Sequence, residues 1–146
     1  MQPAEMDRLI DEHIAAENAG DIEGCVAMYT DDVVHDVVGA PHGPLAGIDA
    51  AKGFYEMLTA NVKAERMDVN HAWYGDDFCV VEHQCEGSVP GQFLGIPGHG
   101  RRIDFRMLHI WEFKDGRMSR ENIWLDGNAI AAQFTHDEVI ARAGQV

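Results

Sequence analysis

The residues able to move protons fall in two stretches of the chain, His35-Asp36 early and His109 with Asp126 late. Histidine titrates between about pH 5 and 8 when unperturbed. A carboxylate among apolar neighbours has its charged form disfavoured, so its pKa rises toward the range useful for proton transfer. His109 stands in the middle of an alternating run, Phe105, Met107, His109, Trp111 and Phe113, which on a strand forms one apolar and aromatic face. In the next segment Asn122, Trp124 and Asp126 share one face, with Glu121, Ile123 and Leu125 opposite. His109, Asn122, Trp124 and Asp126 are expected in one pocket, with Met107 and Trp111 lining it. There Asp126 acts as acid and base, while His109 orients it or donates to a substrate oxygen. By position alone, Asp126 fits equally well as the N-cap of a following helix, and His109 as a hydrogen-bonded core residue. His35 and Asp36 are adjacent and face opposite ways, so only one of them enters the pocket, with Asp36 slightly favoured.

Other histidines carry weaker signals. His83 shares a face with Val81 and Cys85 and reads as structural, whereas His42 and His99 lie in loops able to close a pocket mouth. The spacings include no HxH, HxxxH or HExxH, so no metal is expected. Gly95 to Gly100 contains Pro97 and lacks the Lys-Ser/Thr ending of a phosphate loop, and nothing calls for a cofactor. Phe54, Tyr55, Met57 and Leu58 read as core, with one or two of them, Phe54 first, lining the pocket.

The elements that must position these groups are legible. Met6, Leu9, Ile10, His13 and Ile14 have helical spacing, and Asn18-Ala-Gly20 stops that helix. Asp21 caps a shorter helix carrying Ile22, Cys25, Val26 and Tyr29. Val33 to Val38 is β-branched and reads as a strand. Gly39 to Gly47 is a loop, and a third helix runs from about Ile48 to Lys63. Two hairpins follow: Met67 to Tyr74 with Phe78 to Ser88, and Ile103 to Phe113 with Arg117 to Leu125. Val89 to Gly100 between them is too irregular for a strand. Asn128 to Phe134 is helical, and residues beyond Thr135 are expected to fray. Helices segregated from antiparallel strands mean α+β, in a single domain spanning 1–146. Both faces of the sheet are apolar, so the outer one needs cover, most simply from a second copy in a homodimer.

With 146 residues the chain is long enough for one sizeable core. A formal charge of −14 would repel phosphate backbones and anionic lipid, so neither nucleic acid nor membrane is an expected partner. Cys25, Cys79 and Cys85 are odd in number and contain no CxxC, which makes a disulfide framework improbable. Together with the absence of a basic and apolar leader pattern at Met1 to Ile10, this suggests the cytoplasm.

The element order resembles the NTF2-like cone, a curved, mostly antiparallel sheet wrapped by three N-terminal helices around an internal pocket. From Glu86 onward the chain resembles the SnoaL-like polyketide cyclase (ester cyclase) family. The matching residues are Gly87, Gly91 to Pro97, Gly100-Arg101, His109 to Met118, Trp124 to Asp126 and Gln133-Phe134. The resemblance assigns the acid/base role to Asp126. It implies a cofactor-independent enzyme that closes a polyketide-like chain by intramolecular aldol addition, with His109 and Asn122 on the enolate oxygen. The first half, Asp36 to Gly39 with Gly47 and Phe54-Tyr55, resembles ketosteroid isomerase, whose base would map to Asp36 and whose second Asp is replaced by His109. An isomerase or dehydratase, or a ligand-binding module without catalysis, follows as the alternative. The implied substrate is a small apolar carbonyl compound, touched by His35, Phe54, Met107, Trp111, Asn122 and Trp124.

Overall fold

A computed structural model describes residues 1–134. The expected fraying beyond Thr135 lies outside the described residues. Helix α1 (Pro3–Ala19) buries Met6, Leu9, Ile10 and His13 and ends at Gly20, whose φ of 70° is left-handed backbone that glycine adopts without a Cβ penalty. Asp21 accepts a hydrogen bond from the Gly24 amide and starts α2 (Ile22–Ala27). Strand β1 (Tyr29–Val37) begins earlier than its β-branched core suggests. A two-residue strand, β2 (Leu45–Ala46), pairs with β1 inside the segment read as loop. Helix α3 (Ile48–Asn61) stops two residues short of Lys63, because Val62 is already extended and leads into β3 (Lys63–Tyr74).

Strand β4 (Phe78–Val89) follows, then a small hairpin of β5 (Gln92–Phe93) and β6 (Ile96–Pro97) in the stretch read as irregular. Strands β7 (Arg101–Lys114) and β8 (Arg117–Leu125) complete the six-stranded sheet, ordered β2-β1-β8-β7-β4-β3. Among the described residues only the β1–β8 pair of this sheet is parallel. A helical run, 127–134, closes the described chain. This is the expected α+β architecture, a mixed sheet with the helices gathered on its inner side. No helix among the described residues is long and apolar enough to cross a membrane. Cys25, Cys79 and Cys85 are buried and unbridged.

The inner face holds two clusters of apolar residues. One joins the helices to Tyr29, Val33, Trp111, Phe113 and Met118. The other gathers Val37, Cys85, Ile103, Phe105, Met107, Ile123, Ile130 and Phe134, and Phe54 of α3 packs against both.

The β7–β8 register decides which residues of β8 face inward. The turn at Asp115-Gly116, with φ of 52° and 78°, fits a two-residue hairpin with both central residues left-handed. It pairs Lys114 with Arg117 and Phe113 with Met118. Continued unbroken, this ladder would set His109 opposite Asn122 and Met107 opposite Trp124. Instead the register shifts between Phe113 and Glu112: Glu112 pairs with Arg120, and Ser119 is left as the extra residue of a bulge. Beyond the bulge Trp111 pairs with Glu121, His109 with Ile123 and Met107 with Leu125. A one-residue shift exchanges the two faces of a strand. Glu121, Ile123 and Leu125 therefore turn inward, and Asn122 and Trp124 turn out.

Candidate active site

The concave side encloses a cavity of about 610 Å³. Its walls are mostly apolar, from Val37, Phe54, Val62, Met67, Ile103, Phe105, Met107, Ile123 and Leu125. The closed end is polar and buried, with His35, His109, Tyr55 and Glu121 exposed by 5% or less. At the other end Met57 and Leu94 are exposed while still lining the cavity, so it opens to solvent there.

Glu121 is the hub of the closed end. Its carboxylate accepts hydrogen bonds from the Tyr29 hydroxyl and from the Tyr55 hydroxyl at 3.2 Å. The two tyrosine oxygens are 2.7 Å apart. His13 Nε2 lies 3.6 Å from one carboxylate oxygen, and His109 Nε2 lies 3.5 Å from the other. Burial alone would raise the Glu121 carboxyl, but the imidazoles of His13, His35 and His109 and the Tyr29 hydroxyl outweigh it and hold the pKa at about 2. Glu121 is therefore a buried anion held by two tyrosine hydroxyls, with ring nitrogens of His13 and His109 facing its oxygens.

His109, His83 and His35 are kept uncharged. Burial pushes His109 down to about 3, against the opposing pull of Glu121. His83, fully buried behind it, is pushed down to about 4 by burial, and the two Nδ1 atoms are 3.0 Å apart. Two neutral rings meeting through Nδ1 require one to donate and the other to accept, which fixes opposite tautomers. Burial also lowers His35, again with Glu121 opposing. His35 is 1% exposed, its ring stands 4.2 Å from that of Phe54, and neither nitrogen has a hydrogen-bond partner among the described residues. A buried imidazole facing a cavity with both nitrogens unpaired is costly unless a ligand completes it.

Glu17, one helical turn after His13, is a further acid on the cavity wall. Its side chain is 15% exposed and an oxygen lies 4.0 Å from His13 Nε2. Burial raises its carboxyl to about 7; His13 opposes the shift and Glu121 adds to it.

Of the expected site residues, His35, Phe54, Met107 and His109 line this cavity. Trp111 is fully buried beneath His109, with rings 4.5 Å apart and stacked, and belongs to the core rather than the lining. Four further placements are corrected. Asp36 pairs with Asn122 across β1–β8, and both lie on the outer face because His35 and Glu121 take the inner one. Trp124 is 52% exposed opposite Leu108. Asp126 is exposed, and its Oδ1 accepts from the Ala129 amide at 3.0 Å, so it caps the helical run 127–134 rather than meeting His109. His42 and Pro41 line the cavity, whereas His99 is exposed and does not.

Glu121, Tyr29, Tyr55, His13 and Glu17 were not expected at the site. For His13 a signal existed, a histidine inside the apolar stripe of α1, but read alone it is a core residue. Among the described residues no group of three or more His, Cys, Asp or Glu side chains is arranged to hold a metal ion.

The family described as SnoaL-like domain matches residues 10–121. Two solved structures described as putative polyketide cyclases share the fold. The one from Jannaschia sp. CCS1 is 18% identical, with a TM-score of 0.80, covering 92% of this chain and 96% of that one. The one from Xanthomonas campestris pv. campestris is 19% identical, with a TM-score of 0.77, covering 89% and 97%. An epoxide hydrolase from M. tuberculosis, described as LEH-like, is 16% identical, with a TM-score of 0.72, covering 97% of each chain.

Proposed function

The chain belongs to the SnoaL-like domain family, and within it we propose a small-molecule enzyme that moves a proton beside a carbonyl, with His35 as the base. One observation carries this reading: His35 is buried, held uncharged by that burial, and presents to a 610 Å³ cavity two nitrogens that have no partner among the described residues. A neutral imidazole can accept a proton, and the nearby Glu121 anion stabilises the imidazolium that results.

The substrate is a small apolar carbonyl compound, in keeping with a lining that is polar only at its closed end. His35 takes a proton from the carbon next to the carbonyl, breaking the C–H bond and leaving an enolate. The enolate carbon attacks a second carbonyl of the same chain, a C–C bond forms, and the new alkoxide takes up a proton, so no proton is gained or lost overall. Apolar walls that hold a flexible chain folded remove much of the entropic barrier to ring closure. This supports cyclisation over isomerisation. No residue in the scheme calls for a cofactor.

A linear apolar diketone tests the reading. In heavy water the wild type should place deuterium beside the carbonyl and release a cyclic product, both visible by mass spectrometry. His35→Gln should lower both by about a hundredfold or more. Equal rates in the two proteins would refute the assignment of the base.

For the outer face we propose a second copy of the chain as cover. Leu108 and Trp124 are paired across β7–β8 and both exposed, and Trp73 is exposed beside Val80 on the same face.

A further inference from the structure

Helix α1 puts Glu17 on the cavity wall and, one turn before it, buries His13 against Glu121 behind the closed end. His13 Nδ1 lies 2.8 Å from the Cys25 carbonyl oxygen, which can only accept, so Nδ1 carries the hydrogen. In the neutral ring Nε2 is then the acceptor. That atom faces the Tyr55 hydroxyl at 3.2 Å, Glu121 at 3.6 Å and Glu17 at 4.0 Å. His13 is thus interposed between a fully buried carboxylate and one whose side chain touches solvent, and its free nitrogen is turned toward both. Tyr55 bridges the shorter side, being 3.2 Å from both His13 Nε2 and Glu121.

We infer that His13 and Glu17 form the route by which a proton collected at the closed end of the cavity reaches solvent, making Glu17 a positioning residue for the reaction proposed above. The inference rests on that reading of His35. A cavity water carries the proton from the His35 imidazolium to Glu121, the Tyr55 hydroxyl accepts it there and gives its own hydrogen to Nε2 of His13, and from Nε2 it moves to the Glu17 carboxylate and then to water. Only N–H and O–H bonds are exchanged. The base at His35 is reset without opening the buried end.

The groups that act electrostatically with Glu17 are consistent with this role. They are His13 from its own helix, Cys25 from α2, Tyr29 from β1, Tyr55 from α3, Cys85 from β4 and Glu121 from β8. Both tyrosines and both thiols are raised by burial, the thiols to about 12, and stay protonated at neutral pH. That leaves Glu17, raised by burial to about 7, as the member able both to hold and to release a proton there.

The test needs no substrate and so is separable from the diketone assay. Proton exchange at His13 Nε2 is measured from nitrogen NMR line shapes on histidine-labelled protein across pH 6 to 8. In the wild type the rate should change through the Glu17 titration. Glu17→Gln should slow it by about tenfold or more and abolish that pH dependence, with backbone amide exchange in α1 unaltered. Glu17→Asp should recover the exchange. Equal rates in wild type and Glu17→Gln, or the same slowing in Glu17→Asp, would overturn the route.

Discussion

Ser119 donates a hydrogen bond from its hydroxyl to the Glu112 carbonyl at 3.2 Å, at the point where the β7–β8 ladder slips by one residue. That slip turns the Glu121 carboxylate toward His109 and Trp124 toward the outside. The inward face of β8 is therefore set by where the hairpin absorbs one unpaired residue.

Deleting Ser119 removes the bulge and leaves the other pairs in place: Met118 is then followed by Arg120, so Glu112–Arg120, Trp111–Glu121 and His109–Ile123 continue the ladder from Phe113–Met118 and Glu121 stays inward. The deletion variant should keep a cooperative urea-unfolding transition, and loss of that transition would show that the bulge itself is needed by the fold. Ser119→Ala removes only the half-buried hydroxyl and should cost about 1 kcal/mol in urea unfolding.

This bulge also explains what the sequence could reveal. Alternation showed that Glu121, Ile123 and Leu125 share a face, and likewise Asn122, Trp124 and Asp126. It could not say which set faces His109, because that depends on pairing, and nothing in Arg117 to Arg120 announces an extra residue. The order of helices and strands was legible because periodicity and the Gly and Asp turn signals are local. His109, Met107 and Phe54 were placed correctly because an apolar face around them needs no register. His35 and Asp36 were correctly seen as exclusive, but the choice between them again waited on the β1–β8 pairing of His35 with Glu121. His13, Tyr29 and Tyr55 meet Glu121 only through tertiary packing, beyond the reach of spacing.

His35→Phe separates function from stability. The imidazole nitrogens are buried without partners among the described residues, so replacing them with an apolar ring removes an uncompensated desolvation cost. The variant should be more stable by about 1 kcal/mol by thermal unfolding and inactive in the diketone assay. A loss of stability would mean that His35 has a structural role.

Glu121→Gln keeps the shape and removes the charge. Tyr29, Tyr55, His13 and His109 would then surround a neutral amide, losing charge-assisted hydrogen bonds. A loss of about 2 kcal/mol in urea unfolding is expected. His109 and His35 should also become harder to protonate, since Glu121 is the charge that favours their cationic forms. Histidine NMR titration checks this.

Leu108→Lys with Trp124→Lys places two charges on neighbouring strands of the outer face, away from the cavity. Sedimentation should show the wild type as a dimer and the double variant as a monomer with an unchanged circular dichroism spectrum. A monomeric wild type would remove the second copy as the cover.

Stability should fall on mild acidification, and the sign follows from which groups are kept neutral. Burial lowers His83 from 6.5 to about 4 and His109 from 6.5 to about 3, and lowers His35 in the same direction. Between those values and 6.5 the unfolded chain binds more protons than the native one. Their contribution is therefore complete above pH 6.5 and is lost as the pH falls toward 4 and below. Near pH 5 each of His83 and His109 should have cost about 2 kcal/mol. Glu17 acts the other way: burial raises it from 4.5 to about 7, so in that window the native state holds the extra proton and gains stability as the pH falls. It offsets about one histidine, and the histidines prevail by number. Urea unfolding at pH 7.5 and pH 5 should show the drop, His83→Gln should flatten it, and Glu17→Gln, which removes the opposing group, should steepen it. A protein that gains stability over this range would show that its buried imidazoles are charged, and the neutral base at His35 would go with them.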